Sequence, residues 1–159
     1  MKTIKFRGKK KYDGIWAEGD LKTSLVPKGS MIPCPAISTT EGTIGTFFVK
    51  PDTVCQFIGL YDKNEKEVYE HDYISINLKY EHHTIHGTIP DQDCICEGEV
   101  VYMELFACFG LHLYKAEYPI SREFEKCQYL TIPLLRFDLE YDSIEVLGNV
   151  FDNPELINK

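Results

Sequence analysis

The clearest fold signal lies in residues 54–72, which read Val54-Cys55-Gln56-Phe57-Ile58-Gly59-Leu60-Tyr61-Asp62-Lys63-Asn64-Glu65-Lys66-Glu67-Val68-Tyr69-Glu70-His71-Asp72. Residues 54–60 are an extended, largely apolar run of the kind found in β-strands. The polar run 62–65 supplies turn-forming side chains, and Val68 and Tyr69 then resume the strand pattern. This strand–turn–strand pattern indicates a β fold.

The rest of the chain agrees with this reading, because no segment keeps a helical repeat of apolar positions for three turns. An N-terminal hairpin is predicted, with an arm at 3–10, turn residues at 12–14 and a return from 15. Later strands are predicted at 43–49, 72–78, 84–89, 98–105, 111–114, 129–132 and 144–151. We therefore predict a mainly β fold, an N-terminal hairpin plus a small SH3-like β-barrel, with one or two short helices at 121–126 and 153–157.

Length and composition favour one compact domain over residues 1–159, since 43% of the residues are apolar and 26% are charged. No apolar run is long enough to span a membrane, and residues 1–7 lack the apolar core of a signal peptide. We therefore expect a cytoplasmic protein. In that compartment we expect reduced thiols at all six cysteines, Cys34, Cys55, Cys94, Cys96, Cys108 and Cys127.

Three separated segments carry a family resemblance. They are residues 4–8 with the following aromatic return at Trp16, residues 54–72, and Glu145-Val146-Leu147-Gly148-Asn149-Val150-Phe151-Asp152-Asn153-Pro154-Glu155-Leu156. In order and spacing they resemble the YopX family of phage and prophage proteins, whose middle signature combines a Gln, Thr-Gly-Leu, Asp-x-Asn-Gly-Lys and Tyr-Glu-Gly-Asp. The resemblance implies the fold but no reaction, because that family carries no assigned activity.

Two positions depart from the family pattern where physics expects glycine. Glu65 stands at the Gly of the Asn-Gly turn, and His71 replaces the Gly before Asp72. Both positions favour positive φ, so the turns are either rebuilt or strained. Asp62 and Asp72 are candidate binding residues within the signature. The alternative is structural, with Asp62 closing a turn and Asp72 accepting backbone N–H groups.

Metal-capable side chains are densest between residues 82 and 96, at His82, His83, His86, Asp91, Asp93, Cys94 and Cys96. A Cys-x-Cys pair points both sulfurs to one face of a strand and lacks the Cys-x-x-Cys spacing of common zinc sites. We therefore predict no metal and no cofactor, and interpret this segment as a polar loop between two strands. Cys108 and His112 are the one close nucleophile–base pair, but apolar neighbours favour a buried, inert thiol.

The charge pattern bears on partners. The formal net charge is −8, yet Lys9, Lys10 and Lys11 fall in a basic start beside Trp16. An acidic body disfavours extended nucleic-acid contact, while the basic hairpin leaves a local phosphate and stacking contact open. Acids paired two residues apart in the sequence indicate solvated strand faces, or an acidic face that meets a basic partner.

The long stretch 26–51, which carries Pro27, Pro33, Pro35 and Pro51, is predicted to be a connection in which only 43–49 is a strand. Three functions stay open. The first is a phage or prophage accessory protein that is not an enzyme and binds protein, including a second copy of itself. The second is a nucleic-acid contact module that uses the basic hairpin, and the third is a hydrolase or transferase with a site under the 26–51 loop.

Overall fold

A computed structural model describes residues 4–28, 30–39, 42, 44–84, 87–117, 130–137, 139 and 143–156; for 24–28, 30–32, 79–84 and 87–92 it describes the backbone alone. The chain divides into two compact units, Met1–Leu60 and Tyr61–Lys159. The prediction of a single domain over residues 1–159 stays a prediction. Across the described ranges, no helix has both the length and the apolar character needed to span a membrane.

The first unit is built from strands β1 (Phe6–Lys9), β2 (Trp16–Lys28), β3 (Ser30–Thr39), β4 (Gly45–Phe48) and β5 (Cys55–Tyr61), the last of which ends one residue past the unit boundary. They are hydrogen-bonded in the order β4-β3-β2-β1-β5, and every pair in this series is antiparallel. The predicted N-terminal hairpin is confirmed: Lys9 pairs with Trp16, and Gly14 in the turn has φ 73°. Glycine suits this turn because a left-handed backbone costs it little.

The end of β1 also meets the end of β4. Lys10 and Val49 form an isolated antiparallel bridge, and the Lys11 N–H donates to the Phe48 carbonyl at 2.9 Å. A short 3-10 helix, Pro51–Thr53, follows, and the hydroxyl of Thr53 accepts the Lys9 N–H at 2.9 Å. A core cluster of this unit contains Ala17, Ile37 and Val49, against which Phe6, Phe47 and Val54 pack.

The predicted connection over 26–51 is wrong, because most of it is strand. β3 pairs with β2 from Ser30 to Ser38, including Pro33 and Pro35. The Pro35 carbonyl accepts the Val49 N–H at 3.0 Å, so the Pro35 backbone faces β4 and its missing donor is not required by β2. Pro33, two residues away, has the same orientation. Prolines placed on one side of a strand therefore leave its other ladder intact.

The second unit contains β6 (Glu67–Tyr69), β7 (Asp72–Thr84), β8 (Gly87–Met103), β9 (Cys108–Ala116), β10 (Thr131–Pro133) and β11 (Ile144–Asn149). Three short 3-10 helices accompany them, Glu104–Phe106, Leu134–Arg136 and Pro154–Leu156. The last confirms the predicted helical turn at the tail, whereas the predicted helix at 121–126 lies outside the described residues.

Five of these strands form one antiparallel sheet in the order β10-β9-β8-β7-β11. Within the described ranges β10 and β11 are its two edges and do not pair, so the closed barrel predicted for this part of the chain is not found. The mainly β class is confirmed. The strand predicted at 84–89 and the polar loop predicted at 82–96 are wrong, because β7 continues to Thr84 and β8 starts at Gly87 as two arms of one long hairpin.

The centre of one face of this sheet is apolar and buried. Ile74, Ile76, Val100, Leu111 and Leu113 all expose 2% or less of their surface. Strand side chains alternate between faces, so the residues between these positions lie on the other face. That second face carries polar and aromatic side chains from β7, β8 and β9, and it is described below.

Candidate functional site

The Asp62 carboxylate is buried and fully engaged with backbone. Its Oδ1 accepts the N–H groups of Asn64 and Lys66 at 2.8 and 2.9 Å, and its Oδ2 accepts the Val146 N–H at 3.2 Å. Burial alone raises the pKa of a carboxyl group, but these backbone hydrogen bonds outweigh it and lower the pKa of Asp62. Asp62 therefore closes the turn after β5 and holds the edge of β11.

The same turn makes two further contacts with β11. The Lys63 N–H donates to the Ile144 carbonyl at 2.9 Å, and the Lys63 ammonium lies 2.7 Å from a Glu145 carboxylate oxygen. Both partners of this ion pair are more than 40% exposed, so it adds little to stability. The backbone contacts are what join the middle signature to the C-terminal segment.

Asp72 is the second signature acid and is also buried. Its Oδ2 accepts the Tyr69 N–H at 2.9 Å, across the two residues that connect β6 to β7. The neighbouring His71 carbonyl accepts the Val150 N–H at 3.1 Å. A ligand-binding role for Asp62 or Asp72 stays a prediction, while the geometry gives both a place in holding the fold.

Glu65 and His71 have φ values of 63° and 64°. These are the two positions at which the family pattern has glycine, so the turns keep their left-handed geometry and the chain places larger residues in it. A left-handed backbone costs a residue with a side chain about 1–2 kcal/mol. The turns are therefore strained rather than rebuilt.

The predicted basic hairpin groups its cations around Trp16. Arg7 and Lys9 lie on one face of β1, with the Arg7 Cζ 4.8 Å and the Lys9 Nζ 5.4 Å from the centroid of the Trp16 ring. Lys9 and Trp16 are also direct cross-strand partners. Cation–π contacts at these distances stabilise the hairpin. The Trp16 ring therefore already contacts two cations of its own chain.

Lys10 and Lys11 point to different neighbours. Lys10 is 9% exposed and its ammonium lies 4.3 Å from the centroid of the Phe47 ring. The Lys11 ammonium donates to the Cys34 Sγ at 2.8 Å. The three lysines that are adjacent in sequence thus do not form one cationic surface, and their role in binding stays a prediction.

The Cys-x-Cys pair lies on β8. Cys94 and Cys96 are 1% and 0% exposed and point to the same face, as two alternate residues of a strand do. Burial first, and the adjacent Cys94 second, raise the pKa of Cys96 to about 12, which keeps its thiol protonated at neutral pH.

The positions of the histidine side chains in the predicted metal-capable segment relative to Cys94 and Cys96 are not described. His86 and the side chains of His82 and His83 lie outside the described residues. Within the part of the chain that is described, no three His, Cys, Asp or Glu side chains converge as metal ligands would. The absence of a metal and of a cofactor stays a prediction.

Cys108 and His112 both belong to β9, where four residues span about 13 Å. They are therefore not brought together as a nucleophile and its base. His112 instead contacts β10, with its Nδ1 2.9 Å from the Thr131 hydroxyl. Their proximity in sequence does not bring the two side chains together, because a strand, unlike a helix, separates residues four apart.

A cluster that the sequence reading missed lies on the polar face of the second sheet. Its centre is Glu99, whose Oε1 lies 2.7 Å from the His71 Nδ1 and whose Oε2 accepts the Tyr114 hydroxyl at 3.0 Å. Tyr73 stacks on Tyr114, with ring centroids 5.8 Å apart. His112 adds an edge contact to Tyr114, with centroids 5.3 Å apart.

The register of the sheet produces this cluster. Glu99 on β8 is the direct cross-strand partner of Tyr73 on β7 and of His112 on β9, and His112 in turn pairs with Thr131 on β10. Four neighbouring strands thus place a row of polar side chains on one face. Polar residues at alternate positions, Glu97 and Glu99 on β8 and His112 and Tyr114 on β9, were the available sequence signal.

The electrostatics of the cluster fix its protonation. Burial raises the pKa of a carboxyl group, but the hydrogen bonds from His71 and Tyr114 outweigh it and lower the pKa of Glu99. Burial, followed by the hydrogen bond and negative charge of Glu99, raises the pKa of Tyr114 to about 12. Glu99 is therefore ionised at neutral pH and only accepts, so the His71 Nδ1 carries the proton it donates.

A different feature lies at the end of the sheet where β8 turns into β9 and where the helix after β10 packs against β9. Here Tyr102, Leu105, Phe106 and Leu135 expose 47%, 97%, 65% and 77% of their surface. We call these four residues the apolar end. Ala107, with φ 49°, fixes the turn that carries Leu105 and Phe106.

The comparisons with known proteins agree with the resemblance of the motifs. The family model described as YopX protein matches residues 5–158, nearly the whole chain. The comparison with curated proteins finds no match. The matched range includes the middle signature and the C-terminal segment, which the Asp62 turn joins in the structure. This chain belongs to the YopX family.

Proposed function

We propose that this protein is a non-catalytic binding module of a phage or prophage, acting in the host cytoplasm, and that it contacts another protein through the apolar end. The phage setting rests on the family resemblance. The contact surface rests on one observation, the exposure of Leu105, Phe106 and Leu135 at one end of the second sheet. Exposed apolar side chains that cluster are typical of protein interaction sites.

The arrangement of the ionisable side chains supports a binding role over catalysis. The Asp62 carboxylate accepts hydrogen bonds from three backbone N–H groups. Both oxygens of Glu99 accept hydrogen bonds, one from His71 and one from Tyr114. The thiol of Cys96 is buried and protonated. The proposal of a hydrolase or transferase assumed that residues 26–51 form a loop over its site. Residues 30–39 and 45–48 are strands, so this assumption does not hold.

We also propose an SH3-like fold for the first unit, in place of the SH3-like barrel that the sequence predicts over the later strands. Its support is the strand order β4-β3-β2-β1-β5, the short helix at Pro51–Thr53 before the last strand, and the Lys10–Val49 bridge that brings the ends of β1 and β4 together. SH3-like folds host many unrelated functions, so this likeness supports a scaffold and not a particular chemistry.

Nucleic-acid contact through the basic hairpin remains the alternative. Lys9 and Trp16, which lie together, favour it, and the net charge of −8 opposes it. Salt-sensitive binding of a single-stranded oligonucleotide that is lost when Lys9, Lys10 and Lys11 become Gln supports this alternative. Binding that persists in that variant removes it.

The proposed function is tested by capture of partners with a tagged chain from cells that carry the parent phage element. We compare the natural sequence with a Leu105→Ser/Leu135→Ser variant and with Ile44→Ser, a control that changes an equally exposed apolar residue of the first unit. We expect a protein recovered in fixed proportion by the natural chain and by the control, and reduced at least about tenfold by the double variant.

Two results contradict the proposal. A partner that the double variant retains in full places the contact elsewhere on the molecule. Recovery of no protein at all, including an untagged second copy of the chain, contradicts a binding role.

A further inference from the structure

We infer that Lys11 and Cys34 form a modification site, at which hydrogen peroxide leads to a reversible sulfenamide bond between the Lys11 Nζ and the Cys34 Sγ. The inference goes beyond the proposed function and concerns the first unit alone. It follows from the distance between an amine and a thiol and from the backbone contacts that hold both residues in place.

The two reactive atoms lie side by side in the fold. The Lys11 ammonium donates to the Cys34 Sγ at 2.8 Å, although the two residues are 23 apart in sequence. Lys11 is exposed, and Cys34 keeps 4% of its surface in contact with solvent. The sulfur is therefore covered by a solvent-exposed lysine, within reach of a small dissolved oxidant.

Backbone contacts fix both residues. The carbonyl of Pro35, which directly follows Cys34, accepts the Val49 N–H at 3.0 Å. Val49 also forms the isolated bridge with Lys10, which directly precedes Lys11. The segments that carry the lysine and the cysteine are thus both bound to Val49, so the proximity of the two side chains is a property of the folded backbone.

The buried thiols of the chain have different surroundings. Cys55, Cys94 and Cys96 expose 1% of their surface or less. The Cys55 and Cys94 thiols donate to backbone carbonyl groups, of Thr53 and Glu117 respectively. A carbonyl oxygen provides no amine for a bond to sulfur, whereas the lysine beside Cys34 does.

The first step oxidises the sulfur. The Cys34 Sγ attacks one oxygen of hydrogen peroxide, the O–O bond breaks, and the thiol proton leaves with the second oxygen as water. Sulfur loses two electrons to the peroxide and becomes a sulfenic acid, which is the first and reversible stage of thiol oxidation.

The second step joins the two residues and needs no further oxidant. The Lys11 nitrogen attacks the sulfur, the S–O bond breaks and an N–S bond forms. One ammonium proton leaves with the hydroxyl group as water, and a second proton goes to solvent. A sulfenic acid condenses with a nearby backbone nitrogen in the same way.

The product fastens the turn of the N-terminal hairpin to β3. A covalent bond between residues 23 apart removes conformational freedom from the unfolded chain, as a disulfide does, and so stabilises the fold. A thiol reductant reverses the bond, since two reductant thiols become a disulfide while the lysine amine and the cysteine thiol are regenerated.

The test treats the purified full chain with hydrogen peroxide and maps its peptides by mass spectrometry. We expect the Lys11 and Cys34 peptides to be joined, with two hydrogen atoms fewer than the separate peptides together, and dithiothreitol to release them. The joined chain should have a higher urea midpoint than the reduced chain. Peroxide treatment in concentrated urea should not join the peptides, because the unfolded chain does not hold the two atoms together.

Two matched variants assign the amine. Lys11→Arg keeps the positive charge, but its guanidinium stays protonated and does not attack sulfur. Lys50→Arg makes the same change at another exposed lysine of the first unit. We expect Lys11→Arg to reduce the joined fraction at least about tenfold and to leave Cys34 as a sulfinic or sulfonic acid, and Lys50→Arg to match the natural chain.

Three results overturn the inference. A natural chain in which Cys34 stays a thiol, or is oxidised without joining Lys11, shows that the two atoms do not react in solution. A joined fraction that Lys11→Arg leaves unchanged assigns the bond to another amine. A joined fraction as large in urea as in the folded chain shows that the fold does not bring the two residues together.

Discussion

Glu65 and His71 both have a left-handed backbone, a conformation that favours glycine. They differ in the contacts that their side chains make. Glu65 is exposed, and its side chain makes no hydrogen bond or ion pair with the described residues, while its N–H donates to the Asp62 carbonyl at 2.9 Å. The His71 ring donates to Glu99 and meets Phe151 edge to face at 5.6 Å. Strain at His71 is therefore offset by contacts that glycine would remove, whereas strain at Glu65 is not.

Replacing Glu65 with Gly should therefore stabilise the protein by about 1 kcal/mol, because glycine enters the left-handed region without a Cβ clash. The matched control is Lys66→Gly, at an exposed neighbour outside the positive-φ residues, which should destabilise by about 0.5–1 kcal/mol. Urea unfolding of the two variants measures both values. A loss of stability in Glu65→Gly would mean that the turn does not adopt this backbone in solution.

At the scale of elements, β11 is an edge strand with its outer side covered. Its Val146 N–H donates to the Asp62 carboxylate, and its Ile144 carbonyl accepts the Lys63 N–H. Asp62 and Lys63 both belong to the turn after β5. An uncovered edge offers unpaired backbone groups to other strands and promotes aggregation. The signature turn thus protects one edge of the sheet while it binds the C-terminal segment.

The Glu99 cluster makes stability depend on pH. The pKa of Glu99 is lowered from 4.5 in the folded protein, so its contribution is complete above about pH 4.5 and is lost as the pH falls through the folded pKa. We expect Glu99→Gln to cost about 2 kcal/mol at neutral pH, and this difference from the natural chain to shrink below pH 4. Urea unfolding between pH 7 and pH 3 measures it.

The control for this series is Glu70→Gln, a change at a half-buried carboxyl that makes no ion pair or side-chain hydrogen bond with the part of the chain that the structure describes. It should leave the pH profile of the natural chain unchanged. A Glu99→Gln deficit that stays constant down to pH 3 would show that the ionised carboxylate is not what stabilises the cluster.

Sequence alone predicted the elements whose local signals agree. The hairpin around Gly14 and the strand–turn–strand unit of residues 54–72 combine strand composition with turn residues, and both are confirmed. The long arms of β7 and β8 were missed because residues 79–92 are mostly polar and show no apolar alternation. β3 was missed because its prolines were counted without knowing which side of the strand they face.

The Glu99 cluster could not be predicted from the sequence, for a different reason. Glu99 meets His71 across 28 residues and Tyr114 across 15, and these contacts depend on the strand register and on a bulge near Gly98. A one-residue change of register would move every side chain to the opposite face. By contrast, the positive φ of Glu65 and His71 was foreseeable, since the family pattern marks both positions with glycine.

At the scale of the whole molecule, two of the three segments that carry the family resemblance, residues 61–72 of the middle signature and the C-terminal segment, hold the second unit together. The turn at Asp62 binds β11, and β11 pairs with β7, which starts at Asp72. The signature acids therefore hold the fold, and the exposed apolar side chains of the apolar end lie elsewhere. The contact surface that we propose is therefore separate from the signature, which serves the fold.

The most direct test is the free energy of unfolding of Asp62→Asn in urea at neutral pH. An amide in place of the carboxylate sets an NH₂ donor against a backbone N–H and removes the charge that strengthens the remaining bonds, so we predict a loss of about 3 kcal/mol. Asp93→Asn, at an exposed acid of β8, is the control and should change stability by less than about 0.5 kcal/mol. An Asp62→Asn variant as stable as this control would contradict the claim that the signature acid holds the fold.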